Sequence, residues 1–152
     1  MDKFEIYFQN HPNAMKAVVY STQLFEKELI AIANQKKHDI TLISNTLSLQ
    51  TVQFAEGKDA VVITTKDDLS TAVINELKKL DVKYIINRST DTSNIDKIQA
   101  SILGIKIAKI TDLEPEKIAE QTIEILDNWQ ANKCAGKACA NSDPCRKKPS
   151  KL

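Results

Sequence analysis

Short apolar runs alternate with stretches in which apolar residues recur every three or four positions, and the alternation repeats five times between residues 16 and 132. Runs of the first kind read as strands and stretches of the second as helices. The runs at 17–20, 39–43, 60–64, 84–86 and 105–110 predict five strands. The third, Ala60-Val-Val-Ile-Thr64, is the clearest, because an unbroken apolar run suits a strand buried on both faces. Between the strands, Leu24, Phe25, Leu29, Ile32 and Ala33 recur at helical spacing, with Ser21 and Thr22 placed to cap them. Residues 48–55 give a weaker helix closed by Gly57. Ser70 caps a helix that turns Val73, Ile74, Leu77 and Leu80 inward. A helix from near Asn94 carries Ile95, Ile98 and Ile102 and stops at Gly104. The last begins near Pro115 and buries Ile118, Ile123, Leu126 and Trp129.

Five strand–helix units with right-handed crossovers predict an α/β fold, a flavodoxin-like doubly wound five-stranded parallel sheet in a single domain. Its expected limits are residues 15–132. Residues 1–14 do not fit the pattern: Phe4-Glu-Ile-Tyr-Phe-Gln9 looks like a degraded protease-cleavable expression linker, or else a natural extension, ahead of a start at Met15. Residues 133–152 form a basic, cysteine-containing tail without periodicity, expected to have little order.

The chain has 152 residues, enough for one core. With 21 basic and 20 acidic side chains its net charge is +1, so no global field favours nucleic acid or a membrane. The tail holds six basic residues against Asp143, a local +5, which leaves −4 on the remainder. No apolar run approaches the roughly 20 residues of a membrane span, and the N-terminus lacks a signal-peptide layout, so a cytoplasmic protein is expected. The three glycines, Gly57, Gly104 and Gly136, cannot build a dinucleotide fingerprint or a phosphate-binding loop.

In open parallel sheets, ligands bind beyond the carboxyl ends of the strands. The residues expected there are Ser21 and Thr22, Asp67 and Asp68, Arg88 to Asp91, and Leu113, with Ser89 and Thr90 inside the third group. A phosphoacceptor domain would need an acidic pair after the first strand, where Tyr20-Ser21-Thr22 stands. A flavin site would need a glycine in that loop and a stacking aromatic. A Ser/His/Asp hydrolase has only His11 and His38 to draw on, and His38 precedes the second strand at the wrong edge. The bland reading of Asp91-Thr-Ser-Asn94 and of Asp67-Asp-Leu-Ser70 is helix capping.

Several motifs in order nevertheless carry a family likeness. Met15-Lys-Ala-Val-Val-Tyr-Ser-Thr22, Asp67-Asp-Leu-Ser70, Val82-Lys-Tyr-Ile-Ile86, Arg88-Ser89, Asn94-Ile-Asp96, Leu103-Gly-Ile-Lys-Ile107 and Pro115-Glu-Lys-Ile-Ala-Glu120 together resemble the substrate-binding half of the D-2-hydroxyacid dehydrogenases, nearest to the D-lactate members. The likeness runs from Met15 to Trp129. It implies a nicotinamide-binding domain after the last helix, carrying the glycine-rich loop, the substrate-gripping Arg and a Glu–His pair. No counterpart of these occurs in the sequence. The family's fourth strand leads into Arg, a small polar residue, a small apolar one and Gly, whose backbone receives the substrate carboxylate. Arg88 and Ser89 match, whereas Thr90 and Asp91 depart and place a negative charge where an anion would bind. The substrate-touching Tyr after the fifth strand is replaced by Leu113, and the residue after Ala-Glu is Gln121.

These departures predict a catalytically degenerate substrate domain acting as a binding or regulatory module, with no cofactor in this chain and an unknown protein partner. The alternative is half of an NAD-dependent D-2-hydroxyacid dehydrogenase, completed by a separate cofactor-binding chain and taking a small 2-oxo or 2-hydroxy acid. Cys134, Cys139 and Cys145 are one ligand short of a closed zinc site but could serve a metal or redox role, their thiol pKa values lowered by nearby lysines.

Overall fold

The apolar runs form five parallel strands: β1 Lys16–Val19, β2 Asp39–Leu42, β3 Ala60–Ile63, β4 Tyr84–Asn87 and β5 Lys106–Lys109. Their order in the sheet is β2-β1-β3-β4-β5. The registers, such as Val18 with Val61, Val61 with Ile85 and Ile85 with Ile107, align the same side chains across the sheet. The computed structural model describes residues 14–133 and 138–140.

Helices α1 Leu24–Asn34 and α4 Pro115–Gln130 cover one face, and α2 Thr71–Lys79 and α3 Lys97–Ile102 cover the other. The two-residue period of the strands sorts the core into two layers. Val18, Tyr20, Val61, Ile63, Ile85 and Ile107 pack with α2 and α3. Ala17, Val19, Val62, Ile86 and Ala108 pack with α4 and with Ile30 of α1. All four residues of β3 are fully buried. Burying one such Val or Ile side chain contributes about 1.5–3 kcal/mol, so this central strand anchors both layers. Trp129 of α4 stacks on Tyr84 at a centroid distance of 4.4 Å.

Some expected helical faces are corrected. The first helix is capped at Gln23, whose N–H donates to Glu26 Oε1 at 2.9 Å, rather than by Ser21 or Thr22. Leu24, Phe25 and Ile32 are exposed, because α1 turns Ile30 and Leu29 toward the sheet and α4. In place of a helix over 48–55 there is a single 3-10 turn, Val52–Ala55. Here Thr51 Oγ1 donates to Thr46 O at 2.6 Å and accepts from Ser48 N at 2.9 Å, local bonds that compete with a helix. Helix α3 starts at Lys97, capped by Asp96, and leaves Ile98 and Ile102 exposed while Ile95 and Ala100 are buried. Its end is as expected: Gly104 takes φ +77°, and Gly104 N and Ile105 N bond Ser101 O and Ala100 O.

At the amino ends of the strands, His38 is fully buried. Its Nδ1 accepts from Met15 N at 3.1 Å, so the proton sits on Nε2, 2.7 Å from Asp127 Oδ1. Asp127 also pairs with Lys37 at 2.9 Å. This pins β1, β2 and α4 together at the edge opposite the crevice. The tail is not structureless where it is described. Cys139 forms an antiparallel bridge with Ala108, Ala140 N donates to Ile107 O at 2.8 Å, and Ala138 and Cys139 are buried. The expectation of little order fails for these residues because they satisfy the open edge of β5. No helix among the described residues is long and apolar enough to cross a membrane.

Candidate functional site

The loops after β1, β2 and β3 meet on one buried carboxylate. Asp67 Oδ1 accepts from Ser21 Oγ and from Leu47 N, each at 2.7 Å, and Oδ2 accepts from Thr64 N at 2.7 Å. Ser21 is held at φ +57°, a left-handed conformation unusual for a residue with a side chain, at the turn from β1 into α1. Its own N–H donates to Asn45 O at 2.7 Å. The Ser21–Asp67 pair has the look of a nucleophile beside a carboxylate. Yet each Asp67 oxygen already accepts a backbone N–H, so the carboxylate serves as the junction of the loops. Above it, Tyr20 is fully buried and donates its hydroxyl to Thr51 O at 2.8 Å. Burial, and then the Asp67 charge, push the Tyr20 hydroxyl well above its ordinary pKa.

Arg88 was expected to face the crevice and does not. Its side chain is 4% exposed and folds back beneath the end of β1. Nη1 donates to Glu26 Oε2 at 2.6 Å, and Nη2 donates to Tyr20 O at 2.6 Å. Thr22 also turns inward, its hydroxyl donating to Val19 O at 2.9 Å. Both side chains turn back onto carbonyls at the end of β1: Arg88 supplies a donor to Tyr20 O, just past the strand, and Thr22 adds a second to Val19 O, which also accepts from Ile43 N at 3.0 Å.

The remaining expected residues form a turn of their own. Asn87, fully buried at the end of β4, accepts from Ser89 N at 3.1 Å and donates to Asp91 O at 2.8 Å. Ser89 Oγ accepts from Asp91 N at 3.1 Å, and Asp91 Oδ1 accepts from Ser93 N at 2.9 Å. Thr90 and Asp91 are exposed. Bonds from the Ser93 backbone and side chain hold the Asp91 carboxyl below its usual range, assisted by the Lys97 charge. The turn therefore presents an ionised carboxylate. Asp68 accepts from Ser70 N at 2.9 Å, an Asx turn that leads into α2 and not a cap of it; the N-cap is Ser70, which makes no side-chain cap bond. Asp91 and Asn94 do not cap α3, which Asp96 does instead. Leu113 is 83% exposed on the approach to α4.

Sequence reasoning missed Glu26, Asn87 and Asn94. Asn94 Nδ2 donates to Thr64 O at 3.1 Å and Asp67 O at 2.9 Å, tying the β3 and β4 loops. The signal for Glu26 was its place three residues after Gln23, at the start of α1, where a carboxylate closes a helix end. Among the described residues no group of three or more His, Cys, Asp or Glu is placed to hold a metal ion. Cys139 is buried, and Cys134 and Cys145 lie outside the described residues.

A family model described as "D-isomer specific 2-hydroxyacid dehydrogenase, catalytic domain" matches residues 17–142. The D-lactate dehydrogenase of Escherichia coli (strain K12) is 34% identical over 113 residues, covering 74% of this chain and 34% of that protein. A 2-hydroxyacid dehydrogenase homolog of Haemophilus influenzae is 32% identical over 113 residues, with the same coverage of each. Among solved structures, the apo-structure of D-lactate dehydrogenase from Escherichia coli superposes with a TM-score of 0.64 at 35% identity, covering 73% of this chain and 36% of that one. Salmonella D-lactate dehydrogenase gives 0.63 at 33% identity, covering 75% and 35%. The chain spans about a third of the length of these relatives.

Proposed function

The chain belongs to the D-isomer specific 2-hydroxyacid dehydrogenase family, matching its catalytic domain, and from that premise we propose that it is a binding or regulatory module whose crevice no longer takes a 2-oxo acid. The observation that carries this reading is the position of Arg88. An arginine at the mouth of such a crevice is suited to a bidentate grip on a carboxylate. Here its two terminal nitrogens are already engaged by Glu26 and by the carbonyl of Tyr20, just past β1. Asp91, exposed and ionised in the same turn, repels an incoming anion. Leu113 offers no hydroxyl to a substrate oxygen.

The family's nicotinamide cofactor does not fit the described residues either. Dinucleotide phosphates need a glycine turn between a strand and a helix amino end. The two described glycines, Gly57 and Gly104, instead follow the 3-10 turn and α3, and lead into β3 and β5. We place the module in the cytoplasm, acting through a protein partner. The test is a thermal-shift titration with pyruvate, oxamate and D-lactate, each with and without NADH. A flat response to millimolar ligand is expected. A ligand at about 100 times its dissociation constant adds roughly 2.7 kcal/mol of stability, so a saturable upward shift with oxamate sinks the reading.

A second reading rests on the family model that matches, which is that of the dehydrogenase's catalytic domain. A cofactor-binding part, supplied separately, would then bring NAD together with the Arg, Glu and His of the chemistry. NADH oxidation by pyruvate on mixing this chain with a nicotinamide-binding domain supports that arrangement; no turnover above either part alone removes it.

A further inference from the structure

The two edges of the sheet differ. The outer side of β5 is covered by the bridge from Cys139 to Ala108 and the bond from Ala140 N to Ile107 O. At the other edge, β2 pairs with β1 alone among the described residues. Asp39 is exposed and Ile40, Thr41 and Leu42 are half-buried, whereas every residue of β3 is buried. Asp39 N donates to Met15 O at 2.9 Å, and Ile43 N to Val19 O at 3.0 Å. Strand alternation therefore points Thr41 at β1 too, and turns the N–H and C=O of Ile40 and Leu42 outward. Among the described residues no hydrogen bond reaches these outward groups. Sheet edges are commonly blunted by proline, a bulge or charge. Asp39-Ile-Thr-Leu42 has no proline or glycine, and one charge, at its start.

We propose that this edge pairs with the β2 edge of a second copy of the chain, antiparallel about a two-fold axis at Thr41. The edge is self-complementary, as a symmetric contact requires. With Thr41 opposite Thr41, Ile40 of each copy stands opposite Leu42 of the other, and the two exchange both N–H···O bonds. Every outward donor and acceptor of both residues is then used. The charges also match. Asp39 and Thr41 share one face of the strand, and Lys58 Nζ donates to Thr41 Oγ1 at 3.0 Å. Asp39 of one copy lies diagonally across from Thr41 of the other, about 7–8 Å away, which brings its carboxylate within reach of that copy's Lys58. Neither Asp39 nor Lys58 has an ion-pair partner among the described residues. A contact of this small size suits a dissociation constant on the order of 10–100 µM. The edge runs along the side of the sheet and the crevice lies beyond the strand ends, so oligomeric state and the oxamate titration are separate readouts.

The test is sedimentation equilibrium of the full chain from about 10 µM to about 1 mM, which brackets that range, with a reductant present to prevent thiol cross-links. A reversible monomer–dimer equilibrium is expected. Over the same range, amide exchange at Ile40 and Leu42 should slow by at least about threefold, while Thr41, bonded to β1, stays protected throughout. Lys58→Glu and Asp39→Lys should each weaken the dimer by at least about tenfold, because each sets like charges against one another, and the double variant should restore it to within about threefold. Cooperative melting checks that each variant is folded. The proposal is overturned by a monomer at the highest concentration, by association that leaves Ile40 and Leu42 exchange unchanged, or by a double variant that associates no better than the single ones. A monomer whose Ile40 and Leu42 amides are protected at every dilution would assign the edge to another segment of this chain, and overturns it equally.

Discussion

Arg88 Nη1 and Glu26 Oε2 lie 2.6 Å apart, joining the loop after β4 to the first turn of α1 beneath the end of β1. Glu26 faces two ways: Oε1 closes the amino end of α1 on Gln23 N, and Oε2 holds the guanidinium. The arginine is 4% exposed, so its charge depends on this partner. Glu26→Gln keeps an oxygen for one of these donors but leaves the buried cation unneutralised. The expected cost is about 2–3 kcal/mol, between the loss of a charged hydrogen bond and the breaking of a fully buried pair, because Glu26 retains partial solvent contact at 24% exposure. Urea denaturation measures it; a change under about 0.5 kcal/mol, the usual range for a surface substitution, would show the pair to be incidental.

Asp67 is the second junction. Replacing it by Ala strands two buried or part-buried backbone donors, Leu47 N and Thr64 N, and releases Ser21 Oγ. Each unsatisfied buried donor costs about 1–3 kcal/mol, so the domain should lose about 2–6 kcal/mol. Ser21→Ala should cost far less, since one exchangeable hydroxyl bond is lost. A large ratio between the two losses in denaturation identifies Asp67 as a loop anchor. Equal losses would point to Ser21 and Asp67 acting as a unit.

Acid should loosen the α3 entrance. Asp91 is held below the ordinary carboxylate range by Ser93, and Asp96 by the Thr71 hydroxyl and then Gln99 N. A folded pKa below the unfolded value means stability that is full above the unfolded pKa, about 3.9, and is lost as pH falls through the folded one. The stability gaps between wild type and Asp91→Asn or Asp96→Asn should therefore be open at pH 6 and narrow below about pH 4. Denaturation at pH 6, 4 and 3 checks this. A gap that widens on acidification contradicts the sign.

The sheet was legible because its signal is redundant. β3 is apolar at every position, and each βα unit repeats the same switch of period, so parallel topology followed with little freedom. The helix faces were less legible. Ile98 and Ile102 fit a helical stripe, yet Asn94 is drawn off to the β3 loop, α3 starts at Lys97, and both isoleucines face outward. The candidate site was legible as positions and not as roles. Charge and proximity in sequence marked Arg88 as a crevice group, whereas its direction is decided by the Tyr20 carbonyl just past β1 and by Glu26, 62 residues earlier. Residue type carries no information about such long-range partners. The tail shows the same limit, since an edge strand needs only backbone groups and leaves no periodic signature.

That edge contact yields the last prediction. Ala140 N bonds Ile107 O, and Cys139, bridged to Ala108, is 8% exposed. If these residues hold the β5 edge in solution, the Cys139 thiol should react with a thiol reagent only through local opening. Labelling is read in a C134S/C145S background, so that only one thiol reports. Native protein should label at least about tenfold more slowly than the urea-unfolded chain, tenfold corresponding to an opening cost of 1.4 kcal/mol. Ala140→Pro removes the N–H given to Ile107 O, a bond worth about 0.5–1.5 kcal/mol, and should speed native labelling without changing the unfolded rate. The melting temperature should fall as well, because Ala138 belongs to one core layer and Ala140 packs against the other. Labelling at the unfolded rate in the native protein would mean that β5 is the open edge of the sheet, and a site for pairing with another chain.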